Sequence, residues 1–268
     1  MRSRPIRRLR ALWRLYVPDP VRKTWDWFKE PVIALGLVLV ATTAIARPYY
    51  VPSGSMEPTL QIGDEFFVSK YAYGYSRYSV PFALGPASQH RLLERAPARG
   101  DIIAFHMRFP DGRDETLVKR LIGLPGDRVQ MIAGRLWIDG RKLPVAPAGA
   151  GQVEDDLGEM MTVPQYIETL PGGVKHPIFK WLAGGDYDNT QIFTVPSGHY
   201  FMMGDDRDNS LDSRAPLAVN GVGFVPAEDL IGRAEFILGS VDYKNASGVW
   251  AWPSQLRLAR FFKDVRAR

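Results

Sequence analysis

A chain of 268 residues that is 46% hydrophobic can bury a real core, and is too polar overall for a multi-span membrane protein. It has no Cys, which excludes disulfides, a thiol nucleophile and a thiolate metal site. The net charge of +5 sits in residues 1–30, with nine Lys and Arg against three acids; the rest has 25 bases and 26 acids, unlike a nucleic-acid-binding body.

The basic tail leads through Trp25, Trp27 and Phe28 into an uncharged run at 31–46. Sixteen helical residues span about 24 Å, against about 30 Å of bilayer hydrocarbon. Lys29 and Arg47 can snorkel outward, and Trp25, Trp27, Tyr49 and Tyr50 mark the two edges. The expected organisation is a cytoplasmic tail at 1–30, a transmembrane anchor at 31–47 and an extracytoplasmic body at 48–268. The positive-inside rule sets that orientation. A buried core helix and a cleavable secretory signal ending at Ala44-Ile45-Ala46 are the alternatives. The long aromatic tail favours a retained anchor, helical up to Ala46.

Beyond Pro48 the text is strand and turn. Segments 64–68, 101–106 and 115–122 are short and β-rich, each close to Gly or Pro. At 136–143, Asp139-Gly140 between apolar runs predicts a hairpin with a type I′ turn. From 144 to 185 Gly and Pro are frequent and periodicity is weak, so a loop-rich stretch is expected. Strands resume at 191–195, 199–203 and 232–238. At 254–268 a basic amphipathic helix is expected, with Leu258, Phe261, Phe262 and Val265 on one face, lying on a membrane or docked on the protein.

Three segments carry chemistry. Pro52-Ser53-Gly54-Ser55-Met56-Glu57-Pro58-Thr59 has two hydroxyls around a Gly, able to present an Oγ and an N–H to a carbonyl; a plain turn has the same composition. In Leu117-Val118-Lys119-Arg120-Leu121, alternation sets Lys119 on the face of Leu117 and Leu121. Desolvation there lowers an amine's pKa and suits it as a base for a Ser hydroxyl, unless it snorkels to water. The third, 204–214, is rich in Asp and Arg but lacks EF-hand spacing, and reads as a salt-bridged loop in which Ser210 can hold a Lys amine. There is no G-x-S-x-G, no S-x-x-K and no H-E-x-x-H. A Ser-His-Asp triad through His106 stays open.

Together these residues resemble the successive boxes of bacterial type I signal peptidases: P-S-G-S-M-x-P-T-L with I-G-D, then R-G-D-I, V-K-R-x-x-G-L-P-G-D, G-D-x-R-D-N-S-x-D-S-R, and a last stretch to Ala234. The resemblance runs from about Arg47 to Ala234. It implies Ser55 as nucleophile, Lys119 as general base, and Ser53 with the Ser55 N–H as oxyanion hole. It also implies Ser210 on the Lys amine, with Asp205, Arg120, Asp212 and Arg214 as supporting charges. Val51, Pro52, Met56, Leu60, Phe66, Leu117 and Val118 would line shallow pockets for small side chains, implying Ala-x-Ala substrates.

The implied fold is mainly β: an antiparallel coiled-sheet catalytic core with a smaller inserted β domain at about 127–191, after one transmembrane helix. No cofactor or metal is implied. The implied partners are signal peptides of secreted precursors and the phospholipid membrane, with no nucleic acid. The implied place is the bacterial inner membrane, single-pass, with the catalytic domain on the periplasmic face. Asp206 departs from the Asn common in the family, and Lys119 sets the chain apart from the His-bearing endoplasmic-reticulum branch. The other function classes are a membrane-tethered β protein without catalysis and a Ser–Lys autoprotease or specialised maturation peptidase with one dedicated substrate.

Overall fold

The computed structural model describes residues 18–40, 45–79, 91–154, 159–242 and 254–267. The chain divides into two units, Met1–Thr42 and Thr43–Arg268.

In the first unit, α1 (Asp19–Val40) begins with Asp19, whose charge suits the positive end of the helix dipole. It starts well before the expected anchor, with Pro20 in the first turn, where it costs no hydrogen bond, and Lys29 paired with Asp26 one turn back (2.9 Å). The described helix ends at Val40, and among the described residues no helix is long and apolar enough to cross a membrane. The helix was expected to run up to Ala46, but Ala46 and Arg47 are strand. Pro48 disfavours helical backbone at Arg47, and the ladder Ala46↔Ser69, Arg47↔Val68 takes up the backbone groups. Residues 41–44 lie outside the description.

The second unit is antiparallel β. Its strands are β1 (Ala46–Tyr50), β2 (Asp64–Ser69), β3 (Ile102–Arg108), β4 (Asp114–Gly123), β5 (Arg128–Ile132), β6 (Arg135–Ile138) and β7 (Arg141–Lys142). They continue with β8 (Val145–Glu154), β9 (Met160–Thr169), β10 (Lys175–Phe179), β11 (Phe193–Thr194), β12 (His199–Met203), β13 (Phe224–Pro226) and β14 (Leu230–Ser240). A seven-stranded sheet runs β1-β2-β14-β3-β4-β12-β13. Between β4 and β12 the chain leaves it to build two small sheets, β11-β5-β6-β7 and β10-β9-β8. Asp139 (φ 53°) and Gly140 (φ 73°) make the β6–β7 turn with the positive angles a type I′ turn demands.

The stretch from 144 to 185 is not loop-rich, since it holds β8, β9 and β10. Propensity misleads here because the order comes from cross-strand pairing. The β8–β9 ladder slips between Pro147 and Ala150, where Gly149 takes φ 100°, and Pro164 of the central strand sits opposite Ala150 beside that bulge. Gly151 leaves room for the Phe179 ring, which a Cβ would strike.

The C-terminal helix is also overturned. Among the described residues only 3₁₀ turns are helical there, at 254–255 and Leu258–Arg260, and the chain from Phe262 to Val265 is a strap along β14. Phe262 donates to Ile237 (2.7 Å), Ile237 to Lys263 (3.0 Å) and Val265 to Glu235 (3.0 Å). Beyond its pairing with β3, one edge of β14 needs partners, and the strap supplies them. Phe262, at φ 58°, interrupts any helix. Val265 is buried in the core, whereas Leu258 and Phe262 are exposed, so the expected apolar face does not form. Arg260 forks onto Asp64 (2.9 and 2.5 Å) and donates to the Thr59 carbonyl (3.0 Å), bracing the segment that carries Ser55.

Candidate active site

After β1 the chain runs extended through Ser53 (φ −134°, ψ 155°) into a 3₁₀ turn, Gly54–Met56. Glu57 donates to the Gly54 carbonyl (2.8 Å) and Leu60 to that of Met56 (2.9 Å). Met56 and Leu60 are buried in one core cluster with Val51 and Phe66. These apolar anchors hold the turn down and leave Ser55 half-buried and Ser53 exposed above them.

Lys119 lies on β4 opposite Ile103 of β3, and only 5% of it is exposed. Its Nζ donates to Ser55 Oγ at 2.6 Å. Burial lowers its pKa to about 8, with Arg214 acting the same way and Asp212, Asp205 and Asp206 opposing. An amine half neutral near that pH can take a hydroxyl proton.

The loop after β12 closes the site. A Cβ at Gly204 would collide with Ser210 Oγ and the Ser55 carbonyl oxygen, so a Gly lets the two segments touch. Asp206 N–H donates to that carbonyl (3.2 Å). Arg120, next to Lys119, forks onto Asp205 with two contacts of 2.6 Å, and Thr59 Oγ1 donates to the same carboxylate. Asp212 accepts from Gly204 N–H (3.0 Å) and from Arg214 (2.8 Å at each oxygen), and its pKa is held down by Arg214 and these hydrogen bonds despite burial.

Ser210 lies in this loop, buried, yet its Oγ has no hydrogen-bond partner, so the expected bond to the Lys119 amine is not made. Asp206 is buried; its Oδ1 accepts from Trp181 Nε1 (3.2 Å), Asp208 N–H (3.3 Å) and Asn209 N–H (3.2 Å), and Oδ2 has no partner. Burial pushes its pKa up to about 6.

A groove of about 790 Å³ opens over the pair, with Ser53, Ser55, Leu117, Lys119, Ser210 and Arg214 among its lining. Phe109, Arg113 and Glu115 form one wall and residues 182–188 another. Of the expected pocket residues only Leu117 lines this groove. Val51, Met56, Leu60 and Phe66 are core beneath it with Val118 packed against them, and Pro52 is exposed. His106 stacks on Tyr78 (centroids 3.9 Å apart), 3.7 Å from Asp114, and is not in the lining. Among the described residues no carboxylate and His cluster is spaced to hold a metal ion.

The sequence did not reveal a second buried network. Arg207 pairs with Glu168 of β9, through Nη1–Oε1 at 2.9 Å and a second contact from Nη2. His176 of β10 sits 3.5 Å from Glu168 and 4.0 Å from Asp205. Burial, with the charges of Arg120 and Arg207, holds its pKa well below the ordinary value. These residues tie the inserted sheet to the 204–214 loop, as do Lys180 and Trp181, which bind Asp208. Glu168 and His176 lie in text dominated by Gly and Pro, where no local pattern points to a partner.

A hydroxyl touching a buried amine at the floor of an open groove is the equipment of a serine hydrolase. The sequence matches the family described as Signal peptidase, peptidase S26, over residues 24–239. It is 38% identical over 255 residues to a signal peptidase I of Rickettsia typhi, covering 89% of this chain and 92% of that one. It is 36% identical over 261 residues to a signal peptidase I of Rickettsia akari, covering 91% and 93%. A solved signal peptidase I from Enterococcus faecalis is 29% identical, with TM-score 0.29, covering 52% of this chain and 97% of that one. The chain belongs to the signal peptidase family, peptidase S26, and is a serine endopeptidase.

Proposed function

We propose that the protein is a membrane-bound endopeptidase that removes N-terminal signal peptides from exported precursors after Ala-x-Ala motifs, with Ser55 as nucleophile and Lys119 as general base. The observation that carries this reading is the 2.6 Å contact from Lys119 Nζ to Ser55 Oγ on a buried amine. Lys119 takes the Ser55 proton as Oγ attacks the scissile carbonyl. The oxyanion is held by Ser53 Oγ and the Ser55 N–H. Collapse passes the proton to the leaving amine and leaves an ester on Ser55. Lys119 then deprotonates water, which attacks the ester and frees the signal-peptide carboxylate. Arg120, Asp205, Asp212 and Arg214 hold the loop. Leu117 contacts the small side chains. Wild type is expected to cut a synthetic Ala-x-Ala precursor, and Ser55→Ala to lose at least about 10³-fold in kcat/KM. A Ser55→Ala rate near that of wild type would remove the nucleophile from the scheme.

The membrane part rests on sequence: the basic tail, the apolar text at 31–46 and its aromatic edges. On this reading residues 1–30 are cytoplasmic and the β body is periplasmic. Protease added to spheroplasts should therefore digest the body and spare the tail; a protected body would reverse the orientation. Ala44-Ile45-Ala46 also fits the small-x-small rule. Ala46 is nevertheless buried and paired with Ser69 in the sheet, which keeps it from the chain's own groove.

A further inference from the structure

The wall formed by residues 182–188 has open space on both sides. Leu182, Ala183, Gly184 and Asp188 line the groove over Ser55, and the same four residues line a second cavity of about 450 Å³ behind them. Ala133, Gly134, Arg135 and Tyr166 form the far side of that cavity. The segment lies between β10 and β11 and belongs to no strand, so no sheet ladder holds it. Leu182, Ala183, Gly184 and Asp186 are exposed. A stretch with so little packing on either face needs another means of keeping its place.

Polar bonds supply it, and they converge on Lys180. Its ammonium has three donors, and three acceptors meet it: the Leu182 carbonyl, Asp208 Oδ1 at 2.7 Å and Asp188 Oδ1 at 3.1 Å. The three side chains are 16%, 3% and 7% exposed, so water competes weakly for these bonds. Asp208 also accepts from the N–H groups of Trp181 and Leu182 (2.7 Å each), which fixes the start of the wall to the 204–214 loop. Asp188 accepts from Gly184 N–H (3.0 Å) and Gly185 N–H (3.1 Å), which folds the wall onto its own end. Lys180 joins the two carboxylates and so closes the loop between them. Gly134 makes room for it, since a Cβ there would lie 2.9 Å from Lys180 Cε. Lys180 itself lines the rear cavity and not the groove.

We propose that Lys180 is a positioning residue for precursor binding: by joining Asp208 to Asp188 it holds the 182–188 wall where the groove grips the substrate chain. This rests on the peptidase reading of the groove. Without the ammonium two buried carboxylates face each other uncompensated, and the wall has a cavity behind it into which to retreat. The groove then widens on one side and loses its hold on the substrate. The reacting pair is fixed by other means: Ser55 sits on the Met56 and Leu60 core, and the catalytic loop keeps the Arg120–Asp205 and Arg214–Asp212 pairs. The effect of Lys180 therefore falls on binding and leaves the proton transfer in place.

The test is steady-state cleavage of a soluble Ala-x-Ala precursor peptide by the full chain in nonionic detergent. In Lys180→Met, KM should rise about tenfold while kcat stays within about twofold, which marks an interaction made equally in ground and transition states. Hydrogen exchange over 181–188 should quicken about tenfold in the same variant without substrate. Asp188→Asn still accepts from the two Gly N–H groups but loses the ion pair, so KM should rise about threefold, again without kcat; it serves where Lys180→Met folds poorly. Leu143→Ala, which hollows a core cluster away from the groove, should lower Tm and leave KM unchanged. A fall in kcat with KM unchanged in Lys180→Met, or exchange as slow as in wild type, overturns the proposal. So does a KM rise in Leu143→Ala equal to that in Lys180→Met, which would reduce Lys180 to a stabiliser of the fold. A wild type that cuts no such peptide sinks the peptidase reading instead, and exchange over 181–188 still decides whether Lys180 holds the wall.

Discussion

Lys119→Met should abolish cleavage and at the same time make the protein more stable at neutral pH. General-base catalysis contributes about 10²–10⁴ in rate, so turnover should fall at least that far. Lys119→Arg should be equally inactive, because a guanidinium does not lose its proton at usable pH. In wild type, kcat/KM should rise with pH to a half-maximum near pH 8, as Lys119 becomes neutral. The stability effect has the same origin. The amine titrates at about 8 in the folded protein and near 10.5 when unfolded. Below pH 8 both forms are protonated and the folded state bears the full cost of a buried charge, about 3 kcal/mol. Between 8 and 10.5 the unfolded chain binds more protons, so stability rises with pH and the cost disappears. Urea titrations at pH 7 and pH 10.5 should show Lys119→Met ahead of wild type at the first and level at the second. Retained activity in Lys119→Met, with loss in His106→Ala, would install a histidine mechanism instead.

What was legible in the sequence was what local chemistry encodes. Asp139-Gly140 announced its turn because few dipeptides accept two positive φ angles. Lys119 stood out because alternation on β4 set it among apolar neighbours. Ser55 and the 204–214 loop carried unusual residue types at close spacing. The rest depended on contacts between distant segments. Pro147, Gly149 and Pro164 look like loop text, and become strand only when β8 and β9 pair around a bulge. Phe261, Phe262 and Val265 have helical spacing, but the open edge of β14 claims their backbone for the strap. Met56, Leu60 and Phe66 were expected around substrate from the resemblance alone; burial sets them below the turn as its foundation. Ser55 is thus held by packing from below and by the 204–214 loop from the side.

That loop is most exposed to damage at Asp205. Its carboxylate takes both forks of Arg120 at 2.6 Å, with side chains 3% and 1% exposed, and also accepts from Thr59. Removing one partner leaves the other charge buried and uncompensated, so Asp205→Ala and Arg120→Ala should each cost about 3–5 kcal/mol. For a domain of this size that corresponds to a Tm lower by about 6–20 °C. A paired replacement, Arg120→Met with Asp205→Leu, leaves no stranded charge and should recover most of the loss. Activity should not recover with it. Asp206, the next residue, holds the Ser55 carbonyl through its N–H, and an apolar side chain at Asp205 no longer fixes the start of that segment. The double variant should therefore keep a near-normal Tm while kcat stays well below wild type and KM changes little. Single variants costing under about 1 kcal/mol would show that the pair is solvated in solution. Recovery of kcat along with Tm would show that the pair stabilises the fold without positioning Ser55.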